Sequence, residues 1–323
     1  MLFIYNTKHL PLNFLKNNKS LVGLVLLIVV VSIATPNFFQ IDNILNVLRQ
    51  TSINAIIAIG MTFVILTAGI DLSVGSILAF SGAVCASLLS IGLPLFSVVF
   101  LTLFVGAALG AANGFTISYF NIQPFIATLV GMTAIRGATL LFSDGRPIST
   151  GNEGVADDFY QIGASYLFGI PSPVIIATIV LALAWYVLKH TKFGGYVYAI
   201  GGNESAAMRA GINVKKSLVI VYSVCGASAA LAGLILVSRL ESAQPTAGTA
   251  YELDAIAAVV LGGTSLLGGK GRVVGTVIGA LIIGVINNSL NLLDVSSYYQ
   301  MIAKASVILL AVIADKQEKR PSV

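Results

Sequence analysis

Charged residues are scarce in this chain, and their scarcity decides the class of protein. Only 10% of the 323 residues are charged, whereas 57% are apolar, and the mean hydropathy is +0.93. About a quarter of the residues of a soluble domain are charged, and a soluble chain with so few charges would expose large apolar patches. The composition therefore leaves no room for a separate soluble domain and predicts a protein surrounded mostly by lipid.

Reactive side chains are also few. The sequence has two histidines and two cysteines, and both Cys85 and Cys225 lie in apolar runs, where a buried hydrophobic role is usual. These counts exclude a disulfide framework and argue against metal or catalytic constellations. The glycine-rich stretch 262–271 fails as a phosphate loop, because Thr264 and Gly271 occupy its glycine and Ser/Thr positions. We expect no catalytic residue, metal or cofactor in this chain.

Long apolar runs take the place of polar surface. A membrane-spanning helix needs about 20 mainly apolar residues, and ten candidate segments follow one another along the chain. The sequence predicts an all-α, polytopic membrane protein with about ten transmembrane helices in a single domain, 1–323. The segments are 21–34, 52–68, 74–89, 95–117, 125–142, 174–188, 218–237, 253–267, 273–293 and 298–314.

The basic residues fall mainly on one side of these segments. Under the ten-span assignment that side carries thirteen of the 18 Lys and Arg residues, and loops rich in Lys and Arg remain in the cytoplasm. The net charge of +5 is thus explained by membrane orientation, and we expect no nucleic-acid partner. Cytoplasmic tails are predicted at 1–20 and 315–323, and a cytoplasmic loop at 190–217.

A weak internal repeat relates residues 53–84 to residues 253–284. Identical residues recur at matched positions, and both copies carry a glycine-bearing interruption, at 69–75 and at 268–272. Paired interrupted segments are typical of transporter halves, and the interruptions leave backbone groups that need partners.

Glycines recur four residues apart on two segments, at Gly106, Gly110 and Gly114 and at Gly275 and Gly279. Small residues at this spacing let helix backbones approach closely. They predict helix packing, either within one chain or at a seam between two copies.

Polar residues in apolar surroundings are candidates for a translocation path or its gate. Asp71 lies beside a helix break; it is either a proton or cation site, or a structural group at a helix start that Ser73 caps. Arg136 either pairs with an acid or with carbonyl groups, or lines a polar path. The other candidates, which helix–helix hydrogen bonds explain equally well, are Asn113, Asn287 and Asn288.

The loop 190–217 contains a short predicted helix. Asn203 is a good N-cap, Glu204 complements the positive helix end, and Gly211 provides a left-handed C-terminal residue. A helix this short gains little stability alone, so it either docks onto another protein or rests on the membrane surface. The candidate docking residues are Asn203, Glu204, Ser205, Ala206, Arg209 and Gly211.

Four motifs resemble the membrane permease subunit of bacterial monosaccharide ABC importers, and the similarity extends over nearly the whole chain. They are 67–76, 124–129, 201–214, and 242–248 with 263–265. The resemblance implies a non-catalytic subunit of the bacterial inner membrane that forms the path for a monosaccharide, with ribose favoured. It also implies a second copy of the chain, a cytoplasmic ATPase that holds ATP and magnesium, and a periplasmic sugar-binding protein.

The resemblance also implies that 190–217 is the cytoplasmic coupling loop, which contacts the ATPase, and it assigns the coupling residues. Glu204, Ser205 and Ala206 stand in the place of the family's Glu-Ala-Ala signature. The chain departs from that signature at Ser205 and in the spacing from Glu204 to Gly211, so the role of the loop is better supported than that of any single residue.

One alternative function remains open at this point. A secondary transporter that uses Asp71 as its proton or cation site would also need paired helix breaks. It would work without an ATPase, and a protonophore would abolish its uptake.

Overall fold

The computed structural model describes residues 19–151, 154–296, 298–306 and 309, and this part of the chain is mostly helical. The helices are α1 (Lys19–Ala34), α2 (Ile41–Leu66), α3 (Val74–Ser90), α4 (Leu95–Phe120), α5 (Pro124–Phe142), α6 (Val155–Ala164), α7 (Ser172–His190), α8 (Lys192–Gly202), α9 (Glu204–Arg209), α10 (Val214–Leu240), α11 (Tyr251–Leu261) and α12 (Val273–Leu292). Residues 298–306 are also helical. The strands are β1 (Ile148–Ser149), β2 (Tyr166–Leu167), β3 (Ile170–Pro171) and β4 (Ser242–Ala243).

The multi-pass architecture is confirmed, but the count of ten spans is not. Among the described residues, six helices are long and apolar enough to cross a membrane, namely α2, α4, α5, α7, α10 and α12. Helices α1 and α3 are shorter and also apolar. The predicted tail 315–323 and residues 1–18 of the other tail lie outside the described residues. Two short antiparallel strand pairs, β1 with β4 and β2 with β3, depart from the all-α prediction.

Two helix boundaries differ from the predicted segments by more than five residues, for different reasons. Helix α2 begins at Ile41 rather than at 52, because hydropathy alone misses its polar first turns. Helix α11 ends at Leu261 rather than at 267, because Gly262 closes it and Gly263 takes a φ of +84°. Its 11 residues extend about 16 Å, roughly half of the hydrocarbon thickness. The segment predicted as a full span is therefore a half-helix.

Helices α2 and α10 form the centre of the fold. Residues 55–66 of α2 are buried without interruption, and α10 packs against α2, α3 and α4. The predicted glycine face of α4 meets α10: a Cβ on Gly110 would lie 2.2 Å from the carbonyl oxygen of Tyr222, and one on Gly106 would lie 2.6 Å from that of Gly226. This face therefore packs within one chain.

The second glycine stripe also packs within the chain. A Cβ on Gly275 would lie 2.1 Å from the carbonyl oxygen of Gly262, and one on Gly279 would lie 2.0 Å from that of Ala258. Helices α11 and α12 consequently approach each other at backbone distance. Of the two interpretations of the glycine stripes, the structure supports packing between neighbouring helices of one subunit.

The two copies of the repeat form the same helix–break–helix unit and lie side by side. The first copy is the end of α2, a break and α3; the second is α11, a break and α12. Helix α2 packs against both α11 and α12, and the hydroxyls of Thr62 and Thr276 are 2.8 Å apart. The two breaks also meet, since the N–H of Gly269 donates to the carbonyl of Leu66 over 2.9 Å.

Candidate coupling and translocation site

The predicted short helix is present as α9, a six-residue helix. The side chain of Asn203 accepts a hydrogen bond from the N–H of Ala206 at 2.8 Å, and Gly211 has a φ of +84°. Both predicted stops are therefore confirmed in geometry. The candidate docking residues are all exposed: Asn203, Glu204, Ser205, Ala206, Arg209 and Gly211.

One apolar contact fixes α9 to the rest of the molecule. Ala207, the buried residue of α9, packs in a cluster with Ile200 of α8 and Val214 of α10. Glu204, Ser205 and Arg209 of the same helix are exposed. Helix α9 thus exposes polar side chains on one side and packs against α8 and α10 on the other.

A cavity of about 340 Å³ separates part of α9 from the first helix break. Glu204 and Met208 line it from α9, Gly69 from the break, and Lys215 and Tyr222 from α10. Helix α9 and the first break therefore face each other across an open space.

Asp71 lies in the first break and is fully buried. Its Oδ1 accepts hydrogen bonds from the Ser73 N–H at 2.9 Å and from the Ser73 hydroxyl at 2.6 Å. Asn113 of α4 donates to the same hydroxyl at 2.8 Å. The prediction that the Ser73 side chain caps α3 is wrong, because that side chain accepts no hydrogen bond from an N–H of α3. The Ser73 hydroxyl instead donates to Asp71, which also accepts a hydrogen bond from the Ser73 N–H. Two of the path candidates, Asp71 and Asn113, thus belong to one network.

Arg136 lies on α5 and is paired with carbonyl groups. Its Nη1 donates to the oxygens of Pro245 and Ala247 at 2.8 and 2.9 Å. These residues belong to the irregular segment between β4 and α11, which packs closely on α3: a Cβ on Gly75 would lie 2.1 Å from the carbonyl oxygen of Gly248. Irregular backbone at membrane depth needs such partners. The predicted pairing of Arg136 is therefore observed with carbonyl groups, and the carboxylate of Glu252 also interacts with it electrostatically.

The two asparagines of α12 have partners of their own, outside the Asp71 network. Asn288 and Asn43 of α2 exchange two hydrogen bonds, of 2.7 and 3.1 Å, which is a helix–helix contact. Asn287 lies beside Asp254 of α11, which also forms an ion pair with Lys304 at 3.2 Å. The five path candidates therefore do not converge on one site. Sequence reasoning missed the Asp254–Lys304 pair, although a lysine inside a predicted span was a signal that a buried acid should be sought.

Comparisons with known proteins identify the family. A family model described as branched-chain amino acid transport system / permease component matches residues 43–312. The chain belongs to this family. The permease is 62% identical over 302 residues to a ribose import permease protein of Haemophilus influenzae, with 94% of each chain covered.

Two further relatives carry the same description. The ribose import permease protein of Escherichia coli (strain K12) is 58% identical over 306 residues, 95% of each chain, and that of Bacillus subtilis is 53% identical over 92% of this chain and 91% of its own. No solved structure matches the permease. The predicted class, a non-catalytic transmembrane subunit of an ABC sugar importer in the bacterial inner membrane, is confirmed by these relatives.

Proposed function

We propose that the permease forms the membrane path for ribose. The observation that carries this proposal is the 53–62% identity to ribose import permeases over nearly the whole chain. Permeases described for other sugars are less similar: the D-allose permease of Escherichia coli (strain K12) is 41% identical, and the xylose permease is 36% identical. The gap favours ribose over these two sugars.

The energy for transport comes from a separate cytoplasmic ATPase, which holds ATP and magnesium. Helix α9 is its docking element: the exposed Glu204 and Arg209 contact the ATPase, while Ala207 anchors α9 to the membrane helices. Closure of the ATPase on ATP pushes α9, and the two breaks then change the side to which the path opens.

The complete importer contains two copies of the permease in the lipid bilayer and a periplasmic protein that delivers the sugar. Both termini lie in the cytoplasm, on the side of α9. The network of Asp71 and Asn113 gates the path near the first break, while Arg136, Asn287 and Asn288 hold the surrounding segments. This arrangement is supported by the position of Asp71 at the start of α3 and by the carbonyl contacts of Arg136.

Reconstitution tests this function. The permease is purified in mild detergent with its ATPase and placed in liposomes with the ribose-binding protein, and ribose uptake and ATP hydrolysis are measured with and without a protonophore. We expect the ATPase to co-purify and uptake to persist with the protonophore while ATP is supplied. Uptake by the permease alone, or its loss with the protonophore, would contradict the proposal.

The docking role of α9 has its own variant test. Glu204→Ala with Arg209→Ala is expected to abolish sugar-stimulated ATP hydrolysis. Lys192→Gln changes an exposed charge on the same side, outside α9, and is expected to leave hydrolysis unchanged. If the α9 double variant hydrolyses ATP as fast as Lys192→Gln, then α9 plays no part in coupling.

A further inference from the structure

The end of α8 lies against both helix breaks at once. A Cβ on Gly201 would lie 1.7 Å from the carbonyl oxygen of Leu66, the last residue of α2, and 2.6 Å from the nitrogen of Gly269 in the second break. These two atoms are themselves hydrogen-bonded. Three backbone segments from different parts of the chain therefore meet at one point, and only glycine fits at position 201.

The second break is shaped to enter this junction. Gly268 and Gly269 have φ values of +80° and +70°, a conformation that glycine adopts without the steric cost that other residues meet. A Cβ on Gly268 would lie 2.9 Å from the carbonyl oxygen of Gly201 and 2.8 Å from the nitrogen of Ala68. The tip of the second break is thus held between the first break and α8.

A side-chain hydrogen bond adds a second connection. Tyr198 lies one helical turn before Gly201, and its hydroxyl donates to the carbonyl of Gly271 at 3.0 Å. Burial raises the pKa of this phenol, so the hydroxyl keeps its proton and remains a donor at physiological pH. The same face of α8 consequently holds the second break at both Gly269 and Gly271.

Helix α9 reaches this junction through α8. Across from the first break, α9 faces the cavity, whereas Ala207 packs with Ile200, the residue next to Gly201. Packed atoms therefore connect α9 to the end of α8, and the end of α8 to both breaks.

We propose that Tyr198 and Gly201 are positioning residues that make both helix breaks move together with α9. This inference rests on the proposed function, because it requires α9 to be moved by an ATPase. Without the Tyr198 hydrogen bond, α9 still docks on the ATPase, but the same displacement of α9 moves the second break by a smaller distance.

The test compares two Tyr→Phe variants of α8 in the reconstituted complex. Tyr198→Phe removes the hydroxyl and keeps the ring, whereas Tyr196→Phe, its matched control, changes an exposed ring. The ratio of ribose imported to ATP hydrolysed is measured, together with complex assembly and basal ATP hydrolysis. A structural role alone would alter assembly and leave this ratio unchanged.

We expect Tyr198→Phe to assemble and hydrolyse ATP normally but to lower the ratio by about fivefold, the factor that corresponds to one net hydrogen bond. Tyr196→Phe should match the wild type. Equal ratios in the two variants, beside a wild type that couples normally, would overturn the inference alone. A wild-type complex whose uptake does not depend on ATP would overturn the proposed function and the inference with it.

Discussion

Asp71 is a buried carboxylate whose observed contacts serve the turn between α2 and α3. Its Oδ1 holds the N–H and the hydroxyl of Ser73, so the turn needs an acceptor oxygen at this position but not a titrating group. Asp71→Asn retains such an oxygen, whereas Asp71→Ala leaves two donors unpaired, which costs about 1–3 kcal/mol each.

The pair of variants separates the two functions that the sequence left open. We expect Asp71→Asn to retain most ATP-driven ribose uptake, and Asp71→Ala to lose it and to melt at a lower temperature in detergent. An ion-coupled transporter would instead lose uptake in Asp71→Asn, because an amide cannot carry the proton. Uptake assays and thermal unfolding on the same preparations decide between these outcomes.

Arg136 holds the irregular segment before α11 through two carbonyl oxygens. Arg136→Gln removes the charge and shortens the side chain, and the loss of hydrogen bonds to a charged group costs about 1.5–3 kcal/mol each. We expect a lower thermal midpoint and a strong loss of uptake. Arg136→Lys retains a charged donor and should recover part of both; if it is as impaired as Arg136→Gln, bracing of the carbonyls is not the role of this residue.

What could be predicted at a single residue depended on how local its partners are. The caps of α9 at Asn203 and Gly211 were predicted because their partners lie within a few residues along the chain. The partners of Arg136 are carbonyls 109 and 111 positions away, and every residue, proline included, offers the same carbonyl acceptor. No sequence pattern distinguishes Pro245 and Ala247 from other acceptors, so only their chemical type was predictable.

At the scale of the helices, the length of each apolar run predicted where a helix lies along the chain but not how far that helix extends across the membrane. A hydropathy window reads residues 253–267 as one run, whereas the backbone turns at Gly262 and Gly263 and leaves α11 with 11 residues. The glycine spacing predicted close approach correctly, because a missing Cβ has the same consequence in any helix pair. It left open which helix would be the partner, which depends on the tertiary fold.

The α4–α10 contact gives a prediction at this scale. Gly110→Ala places a methyl group 2.2 Å from the carbonyl oxygen of Tyr222, and overpacking of this kind costs about 1–3 kcal/mol. Gly137→Ala on α5 is the control, since nothing lies within 4 Å of the added atom. We expect a lower midpoint of thermal aggregation in detergent for Gly110→Ala only. Equal midpoints would show that α4 and α10 are not in backbone contact.

For the whole molecule, the charge pattern and the internal repeat together predict that both helix breaks lie near the cytoplasmic side. The repeat places two breaks next to each other, and both meet α8 in the loop that the basic residues assign to the cytoplasm. The ten-span assignment places both termini on the side of α9, which requires an even number of membrane crossings. An odd number would mean that α1, α3, α11 or the helix that includes residues 298–306 does not complete a crossing.

Cysteine labelling tests this orientation directly, because Cys85 and Cys225 are both fully buried and give little background. Single cysteines are placed at Arg146, between α5 and β1, at Lys192, at the start of α8, and after Val323. Both Arg146 and Lys192 are exposed. A membrane-impermeant maleimide applied from the periplasmic side should label only position 146, and the other two should react only after the membrane is permeabilised. Labelling at 192 before permeabilisation would reverse the orientation and place α9 out of reach of ATP. Labelling of the added C-terminal cysteine, with position 192 still protected, would show that the final helix does not cross the membrane.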